Sequence, residues 1–216
     1  MAPVLGRPFL EWVLRWIATG GISKCLLSTG FLSEKIETHF RLNPLTGLHI
    51  SCVPEADPLG TAGGFLNCVA AVPSAAEDDV WLVTNGDSMA ITGLRDLLTR
   101  MSDPKVDAAV LGLQVPDASR YGTLAIGDDG RLLEFAEKRP GAGVINAGVY
   151  LFRHRTLAHF PAQRPLSFET EVFPTLLHNV HVTTLTVDAP FLDIGTPQSL
   201  AEAESFISQN QPFFTS

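Results

Sequence analysis

The sequence has no excess of basic residues. Its 216 residues include 15 Lys and Arg against 23 Asp and Glu, which gives a formal net charge of −8 at pH 7. This balance argues against general nucleic-acid or membrane-surface binding, because both usually need a basic patch. It leaves room for a small anionic ligand, which a few placed cations and a metal ion can hold.

Cysteine is scarce, and no Cys-x-x-Cys pair is present. The three cysteines, Cys25, Cys52 and Cys68, lie in apolar runs. We expect small buried thiols in a reducing cytoplasm. No apolar run reaches the length of a membrane span. Charged residues interrupt the first apolar stretch, which favours an amphipathic helix over a signal peptide.

Several common catalytic motifs are also missing. The sequence contains no G-x-S-x-G and no H-E-x-x-H. His178 and His181 are three residues apart, but no third metal ligand stands near them. We therefore predict neither a nucleophile elbow nor a zinc site.

Strand-like and helix-like segments alternate along the chain. Val80-Trp81-Leu82-Val83, for example, is a short run of apolar residues typical of a strand buried on both faces of a parallel sheet. Predicted strands cover residues 24–28, 48–53, 80–83, 108–113, 149–152 and 182–187. Predicted helices cover residues 33–40, 62–72, 94–101, 170–177 and 197–207. The alternation predicts an α/β fold with a doubly wound, mostly parallel sheet.

The absence of a linker or repeat predicts one domain over residues 1–216. Residues 1–115 form its predicted nucleotide-binding half, residues 116–208 its sugar-binding half, and residues 209–216 a frayed tail. Doubly wound sheets bind ligands beyond the carboxyl ends of their strands. The polar motifs of this chain fall at those ends.

Two aspartates follow predicted strands. Asp87 belongs to Asn85-Gly86-Asp87, directly after the apolar run at 80–83, and Asp193 ends a second extended run. Such carboxylates can share Mg²⁺, which prefers hard oxygen ligands. The alternatives are an ordinary turn for the first motif and, for the second, a helix cap by Asp193 or Thr196.

Small residues join a strand to a helix at Leu59-Gly60-Thr61-Ala62-Gly63-Gly64. Thr61 is predicted to cap the helix that follows. A ligand can approach such a backbone closely, and a helix N-terminus favours anions. Tight packing between helix and strand explains the same pattern equally well.

Glu137-Lys138-Arg139 places one acid and two cations after a predicted strand. Lys138 suits a phosphate and Glu137 suits sugar hydroxyls, whereas the alternative is a solvated charge run. Asn146-Ala147-Gly148 stands before the next strand, where glycine permits close backbone approach. An ordinary turn remains the alternative there.

A series of short motifs spans residues 1–207, and the combination of their order and spacing is specific. The motifs are Gly6-Arg7-Pro8, Glu55 with Pro58-Leu59-Gly60-Thr61-Ala62-Gly63, Asn85-Gly86-Asp87, Asp117 with Arg120-Tyr121-Gly122, Phe135-Ala136-Glu137-Lys138, Asn146-Ala147-Gly148-Val149-Tyr150, Ser167-Phe168-Glu169 and Leu192-Asp193-Ile194-Gly195-Thr196-Pro197. The series resembles the sugar-1-phosphate nucleotidyltransferases, most of all the guanylyltransferases for heptose 1-phosphate and mannose 1-phosphate.

The resemblance implies roles for these residues. It implies that Asp87 and Asp193 bind Mg²⁺ and that Lys138 contacts the sugar phosphate, which makes these three the catalytic residues. The substrate-binding residues it implies, around base and sugar, are Glu55, Leu59, Gly60, Thr61, Ala62, Asn85, Gly86, Gly122, Glu137, Asn146 and Glu169.

The implied reaction is attack of a sugar 1-phosphate on the α-phosphorus of a nucleoside triphosphate, with release of pyrophosphate. We expect GTP as the donor, while uridylyl, thymidylyl and adenylyl transfer stay open. A non-catalytic relative that binds a nucleotide sugar and regulates an active enzyme is the alternative. A homo-oligomer is possible in either case.

The resemblance also implies a Rossmann-like fold that lacks its usual first strand. In the family, that strand, a Gly-rich loop with its Arg and a Pro-Lys-Pro segment precede the region matched by Gly6-Arg7-Pro8. The strand is interior, and each of its two neighbours is normally about 4.8 Å from it. Its absence would therefore leave a slot about 10 Å wide between those neighbours. Each unpaired buried backbone group costs about 1–3 kcal/mol. We therefore expect a longer natural protein, in which Met1 follows the Pro-Lys-Pro segment.

Overall fold

A computed structural model of the chain describes residues 1–136 and 140–214. Its strands, in chain order, are β1 (Pro3–Val4), β2 (Arg7–Pro8), β3 (Lys24–Thr29), β4 (His49–Pro54), β5 (Val80–Thr84), β6 (Ser88–Ala90), β7 (Ala108–Val115), β8 (Thr123–Ile126), β9 (Leu132–Ala136), β10 (Gly143–Arg153), β11 (Val182–Val187) and β12 (Phe191–Asp193). Its α-helices are α1 (Phe9–Thr19), α2 (Ser33–Leu42), α3 (Thr61–Ala70), α4 (Arg95–Arg100), α5 (Phe173–Leu176) and α6 (Pro197–Gln209). A π-helical turn at Phe168–Val172 precedes α5.

The central sheet has six strands in the order β11-β7-β10-β8-β9, and β5 also pairs with β10. Among the described residues, only β11 and β7 form a parallel pair in it, because β10 pairs antiparallel with β5, β7 and β8, and β9 pairs antiparallel with β8. The α/β prediction is confirmed, but the prediction of a mostly parallel sheet is wrong. An apolar strand buried on both faces has the same sequence pattern in either orientation.

Strands β3 and β4 form a separate parallel pair, with Lys24 opposite His49 and Thr29 opposite Pro54. Among residues 1–136 and 140–214, no strand pairing joins this pair to the six-stranded sheet. Two further pairs are antiparallel, the β1–β2 hairpin and β6 with β12. The β3–β4 pair is therefore a separate sheet in this structure.

Two apolar clusters cover the sheet. One contains the buried stripe of α1, where Trp16 is fully buried and its indole N–H donates to the Thr92 carbonyl at 2.8 Å. The other is aromatic, with Phe152 and Phe168 stacked at 5.5 Å between ring centroids. The Trp16 indole and the Phe152 and Phe168 rings therefore pack the core, as expected for large apolar side chains.

The segment predicted to be a tail begins with the end of α6. Helix α6 continues to Gln209, and a 3₁₀ turn follows at Gln211–Phe214. The Phe214 ring contacts Trp12 edge-on at 5.4 Å between centroids. Thr215 and Ser216 lie outside the described residues. In the part of the chain that the structure describes, no helix is long and apolar enough to cross a bilayer.

A buried carboxylate fastens α1 to its neighbours. Glu11 is 2% exposed, and its carboxylate accepts hydrogen bonds from Arg7, from Arg15 at 3.0 Å and from His39 at 3.1 Å. Burial on its own would raise the pKa of Glu11, but these hydrogen bonds outweigh burial and lower it. The charged form of Glu11 therefore stabilises the folded state.

Replacing Glu11 with Gln should destabilise the protein by about 1–3 kcal/mol at pH 7, because a buried group loses charged hydrogen bonds. Since the folded pKa is lowered, this stabilisation is present above the ordinary Glu pKa of about 4.3 and is lost as the pH falls through the lowered value. Urea denaturation at several pH values measures it. Glu34→Gln, at an exposed position of α2, is the matched control and should change stability by less than about 0.5 kcal/mol. Equal stabilities of the two variants at pH 7 would contradict this role.

Candidate functional site

The two predicted metal carboxylates lie side by side. In the antiparallel pair of β6 and β12, Asp193 is opposite Ser88, the residue after Asp87. The Ile194 N–H donates to the Asp87 carbonyl at 2.9 Å. The Asp193 carboxylate accepts the Gly195 N–H at 2.6 Å. Two aspartates that are far apart in sequence therefore meet at one edge of the fold.

The charge of Asp193 affects the titration of Asp87. Burial of the carboxyl group, and then the charge of Asp193, raise the pKa of Asp87 above its usual range. A cation between the two groups would relieve this repulsion, and two hard oxygen donors suit Mg²⁺. Within the described ranges, no cluster of three or more His, Cys, Asp or Glu can hold a metal. Mg²⁺ at Asp87 and Asp193 would therefore need further ligands from substrate oxygens or water.

Helix α6 is capped by Thr196 and not by Asp193. The Thr196 hydroxyl accepts the Ser199 N–H at 3.1 Å, and the Ser199 hydroxyl accepts the Thr196 N–H at 3.2 Å. This capping box satisfies the start of α6. The Asp193 carboxylate is therefore not used to cap this helix.

A glycine brings the second polar motif against the first. The Asn85 N–H donates to the Gly148 carbonyl at 3.0 Å. Gly148 has φ +71°, and a Cβ there would stand 2.5 Å from Nδ2 of Asn85. Only glycine combines this conformation with this contact. Asn85 is therefore in direct contact with the Asn146–Gly148 motif, and an ordinary turn would not require this contact.

A buried tyrosine holds two of the predicted sugar-site residues. The Asn146 amide donates to the Tyr150 hydroxyl at 2.7 Å, and that hydroxyl donates to the Glu169 carboxylate at 2.8 Å. The Ser167 hydroxyl donates to the other Glu169 oxygen at 2.9 Å. Tyr150 is fully buried, and burial followed by the Glu169 charge raises its pKa well above the ordinary value. Tyr150 therefore stays protonated and remains a hydrogen-bond donor to Glu169.

The Gly-rich loop is attached to the segment before Glu169. Gly60 has φ +77°, and a Cβ there would lie 2.5 Å from the Leu166 carbonyl oxygen. That oxygen accepts the N–H groups of Ala62 at 2.9 Å and Gly63 at 3.2 Å. The first turn of α3 therefore uses these donors for packing, and they are not available to an anion.

Thr61 does not cap α3, so that prediction is wrong. The residue before the helix is Gly60, and Thr61 is its first residue. The Thr61 hydroxyl instead accepts the Phe168 N–H at 3.2 Å. This bond ties the loop to the segment that carries Glu169.

Glu55 follows β4 and braces the same loop. Its carboxylate accepts the Ser28 hydroxyl at 2.6 Å and the Leu59 N–H at 3.2 Å. A Cβ on Gly64 would stand 2.7 Å from this carboxylate. In this state Glu55 fixes the loop between β4 and α3, and its predicted contact with the base stays a prediction.

The remaining predicted residues fall into two groups. Gly86 is exposed beside Leu10, and the Gly122 carbonyl accepts the Asn146 N–H at 3.2 Å. Both therefore lie at the site. Glu137 and Lys138 lie outside the described residues, so their predicted roles stay predictions.

Sequence reasoning missed Tyr150, Ser167 and Leu166 as parts of this site. Tyr150 stands four residues after Asn146 on one strand, so the alternation of side chains places both on the same face. That spacing is the signal that could have identified Tyr150. The Leu166 contact carries no local signal, because its partners Gly60 and Ala62 are about a hundred residues away in sequence.

Comparisons with known proteins agree on one family. The family model described as Nucleotidyl transferase matches residues 1–210. The chain is 32% identical over 209 residues to the mannose-1-phosphate guanylyltransferase of Mycobacterium tuberculosis, covering 95% of this chain and 57% of that protein. It is 31% identical over 205 residues to the D-glycero-alpha-D-manno-heptose 1-phosphate guanylyltransferase of Aneurinibacillus thermoaerophilus, covering 94% of this chain and 86% of that protein.

The fold has a close structural counterpart. The crystal structure of HddC from Yersinia pseudotuberculosis complexed with GMP-PN matches with a TM-score of 0.84 at 25% identity. The match covers 95% of this chain and 88% of that one. This chain spans little more than half of the mycobacterial relative, 57% of its length.

Replacing Asp193 with Asn should lower the pKa of Asp87, because the neighbouring charge raises it. The pKa should still exceed the ordinary Asp value, since burial remains. Carboxyl ¹³C NMR titration of the metal-free protein measures the shift. Asp188→Asn, at an exposed position, is the matched control and should leave the Asp87 pKa unchanged. An Asp87 titration that ignores the loss of Asp193 would show that the carboxylates do not interact.

Proposed function

The chain belongs to the nucleotidyl transferase family, and we propose that it transfers a nucleotidyl group from a nucleoside triphosphate to a sugar 1-phosphate. The products are a nucleoside-diphosphate sugar and pyrophosphate. The observation that carries the proposal is the pairing of β6 with β12, which sets two carboxylates side by side next to the Asn146 and Glu169 cluster. The groups proposed to bind metal and the groups proposed to bind sugar then lie within one site.

Nucleotidyl transfer to a sugar 1-phosphate requires few reactive side chains. A phosphate monoester has a second pKa of about 6, so the attacking oxygen is already largely deprotonated at neutral pH. The protein must align two anions and offset their repulsion, and catalysis is then positioning plus electrostatics. Mg²⁺ held by Asp87 and Asp193 would supply positive charge between the substrates. Lys138 is proposed to contact the sugar phosphate.

The polar cluster around Tyr150 suits the sugar. Asn146 and Glu169 are partly exposed, and their buried hydrogen bonds to Tyr150 fix their orientation. Fixed amide and carboxylate groups recognise sugar hydroxyls by direct hydrogen bonds. Gly122, which is exposed and bonded to Asn146, leaves room for the ring. Glu137 is proposed to complete this side of the site.

The proposed donor is GTP, and the proposed acceptor is mannose 1-phosphate or heptose 1-phosphate. The names of the two relatives at 32% and 31% identity support this choice. The GMP-PN complex of the structural counterpart supports a guanine nucleotide. Glu55, Leu59, Gly60, Thr61 and Ala62 are proposed to approach the base. A cytoplasmic location and a homo-oligomeric state stay predictions.

Pyrophosphate release tests the function. The chain, and a version extended upstream by a strand and a Gly-rich loop, are incubated with Mg²⁺, each nucleoside triphosphate and each sugar 1-phosphate. We expect release with GTP, and faster release from the extended form. No release from either form, with nucleotide-sugar binding retained, would favour the non-catalytic alternative. Absence of both release and binding would contradict the proposal.

Replacing Asp87 with Asn in an active form should lower kcat by at least about 100-fold, the scale for loss of one group that stabilises transition-state charge. Asp128→Asn makes the same chemical change at an exposed hairpin turn and should leave kcat unchanged. Near-normal turnover by the Asp87 variant would remove this carboxylate from the metal site.

Replacing Tyr150 with Phe should raise KM for the sugar 1-phosphate by at least about tenfold, since a lost hydrogen bond to a charged group is worth about 1.5–3 kcal/mol. KM for the nucleoside triphosphate should stay constant, because Tyr150 holds only Asn146 and Glu169. Steady-state kinetics measure both values, and thermal unfolding checks the fold. A parallel rise in both KM values would indicate general loosening of the site.

A further inference from the structure

A short hydrogen bond joins the end of β3 to the loop after β4. The Ser28 hydroxyl donates to Oε1 of Glu55 at 2.6 Å, and the Leu59 N–H donates to Oε2 at 3.2 Å. The Glu55 N–H itself donates to the Thr29 carbonyl at 2.8 Å. Main chain and side chain of Glu55 are therefore both fixed, and each carboxylate oxygen is held by one donor.

Helix α3 leaves room for this carboxylate through a glycine. Gly64 is the fourth residue of α3, and a Cβ there would stand 2.7 Å from Oε1 of Glu55 and 2.9 Å from the Ser28 hydroxyl oxygen. Both distances are shorter than ordinary van der Waals contact, so a side chain at Gly64 would displace the Ser28–Glu55 pair. Glycine is less favourable than alanine inside a helix. Space for the carboxylate therefore takes precedence over helix propensity at this position.

The Glu55 carboxylate has capacity for two further donors. A carboxylate has about four acceptor positions on its two oxygens and no donor. Among residues 1–136 and 140–214, the recorded donors to this carboxylate are Ser28 and Leu59, one on each oxygen. Glu55 is half-buried and Ser28 is exposed, so a ligand can reach the pair from solvent. The arrangement suits a ligand with two neighbouring donors, one for each oxygen.

Leu59 links this carboxylate to the proposed sugar side of the site. Its N–H donates to Glu55, and its carbonyl accepts the Leu166 N–H at 2.8 Å. Leu166 directly precedes Ser167, whose hydroxyl donates to the Glu169 carboxylate. A path of three hydrogen bonds therefore connects Glu55 with Glu169. A nucleotide sugar is a ligand with a base for one carboxylate and a sugar for the other.

The donor pattern of the base decides which nucleotide suits Glu55. Guanine carries its N1–H and its N2 amino group side by side, so the two oxygens of one carboxylate can accept from both. In uracil and thymine, a single N3–H stands between two carbonyl oxygens, and adenine has an acceptor nitrogen beside its amino group. Those bases would set lone pairs against the carboxylate and leave polar groups unpaired.

We propose that Ser28 is a positioning residue for base selection. Its hydroxyl holds the Glu55 carboxylate in the orientation in which both oxygens accept from guanine, and Gly64 provides the space for that orientation. The inference rests on the proposed guanylyl transfer and assigns residues to its base selectivity. Without the Ser28 hydroxyl, the carboxylate is free to rotate, and two misaligned acceptors discriminate less between bases.

Nucleotide binding to the full chain tests this role. Isothermal titration calorimetry measures the affinities for GTP and for ITP, which lacks only the N2 amino group. The unchanged chain should prefer GTP by at least about tenfold, the scale of one hydrogen bond to a charged group. Ser28→Ala should reduce this preference several-fold, mainly by weakening GTP binding. Ser28→Thr keeps the hydroxyl on a residue that favours strands, and it should retain the preference.

Ser208→Ala, at an exposed position of α6, is the matched control and should leave both affinities unchanged. Equal losses of GTP and ITP affinity in Ser28→Ala would overturn the proposal, because Ser28 would then only hold the loop. An unchanged preference in that variant would also overturn it, as would equal affinities of the unchanged chain for GTP and ITP. If the unchanged chain bound no nucleoside triphosphate, the proposed function would fail together with this inference.

Gly64→Ala gives an independent check that leaves the Ser28 hydroxyl in place. The added Cβ should displace the Ser28–Glu55 pair and reduce the GTP preference as Ser28→Ala does, while alanine supports α3. Gly93→Ala adds the same methyl group where no atom lies within 4 Å, and it should keep the preference. Thermal unfolding confirms that each variant is folded. A folded Gly64 variant with the full GTP preference would contradict the proposed orientation of Glu55.

Discussion

The contact between Gly148 and Asn85 is the constraint on which the site depends. Gly148 lies where β10 shifts register between Asn146 and Tyr150 and exchanges β8 for β5 as its neighbour. Its left-handed backbone makes that exchange, and the missing Cβ leaves space for the Asn85 side chain. One residue therefore couples the segment Asn85–Asp87 to the segment around Asn146. Any side chain there would separate Asn85–Asp87 from Asn146 and Glu169.

The sequence predicted the local elements better than their arrangement. The sequence predicts the strand at 182–187 with its observed bounds. Six consecutive residues that favour β-strands stand directly before Asp188, and Asn179 lies shortly before the first of them. Strand β10 was predicted only from residue 149, although it begins at Gly143. Its first part contains Gly and Asn, which have low strand propensity, and tertiary pairing with β7 overrides that propensity. The antiparallel direction of β10 is likewise decided by partners remote in sequence.

The same contrast between local pattern and long-range arrangement holds for the residues of the candidate site. The motifs point to Asp87, Asp193, Asn146 and Glu169, since each stands beside a turn or a strand end, and their roles stay predictions. The sequence pattern of the Gly-rich loop fits close approach of a ligand and tight packing equally well. The structure shows that packing uses Gly60, Ala62 and Gly63, all through the Leu166 carbonyl. No local pattern announces such a contact, because a backbone oxygen about a hundred residues away supplies it.

One electrostatic demand of the site is not met by the described residues themselves. Burial, and then the charge of Asp193, raise the pKa of Asp87. Within residues 1–136 and 140–214, no third His, Cys, Asp or Glu joins this pair to make a metal-binding cluster. A divalent cation would relieve the repulsion, but oxygen atoms of a substrate or of water would have to complete its coordination. Binding of a cation and binding of an anionic substrate at this pair would therefore favour each other.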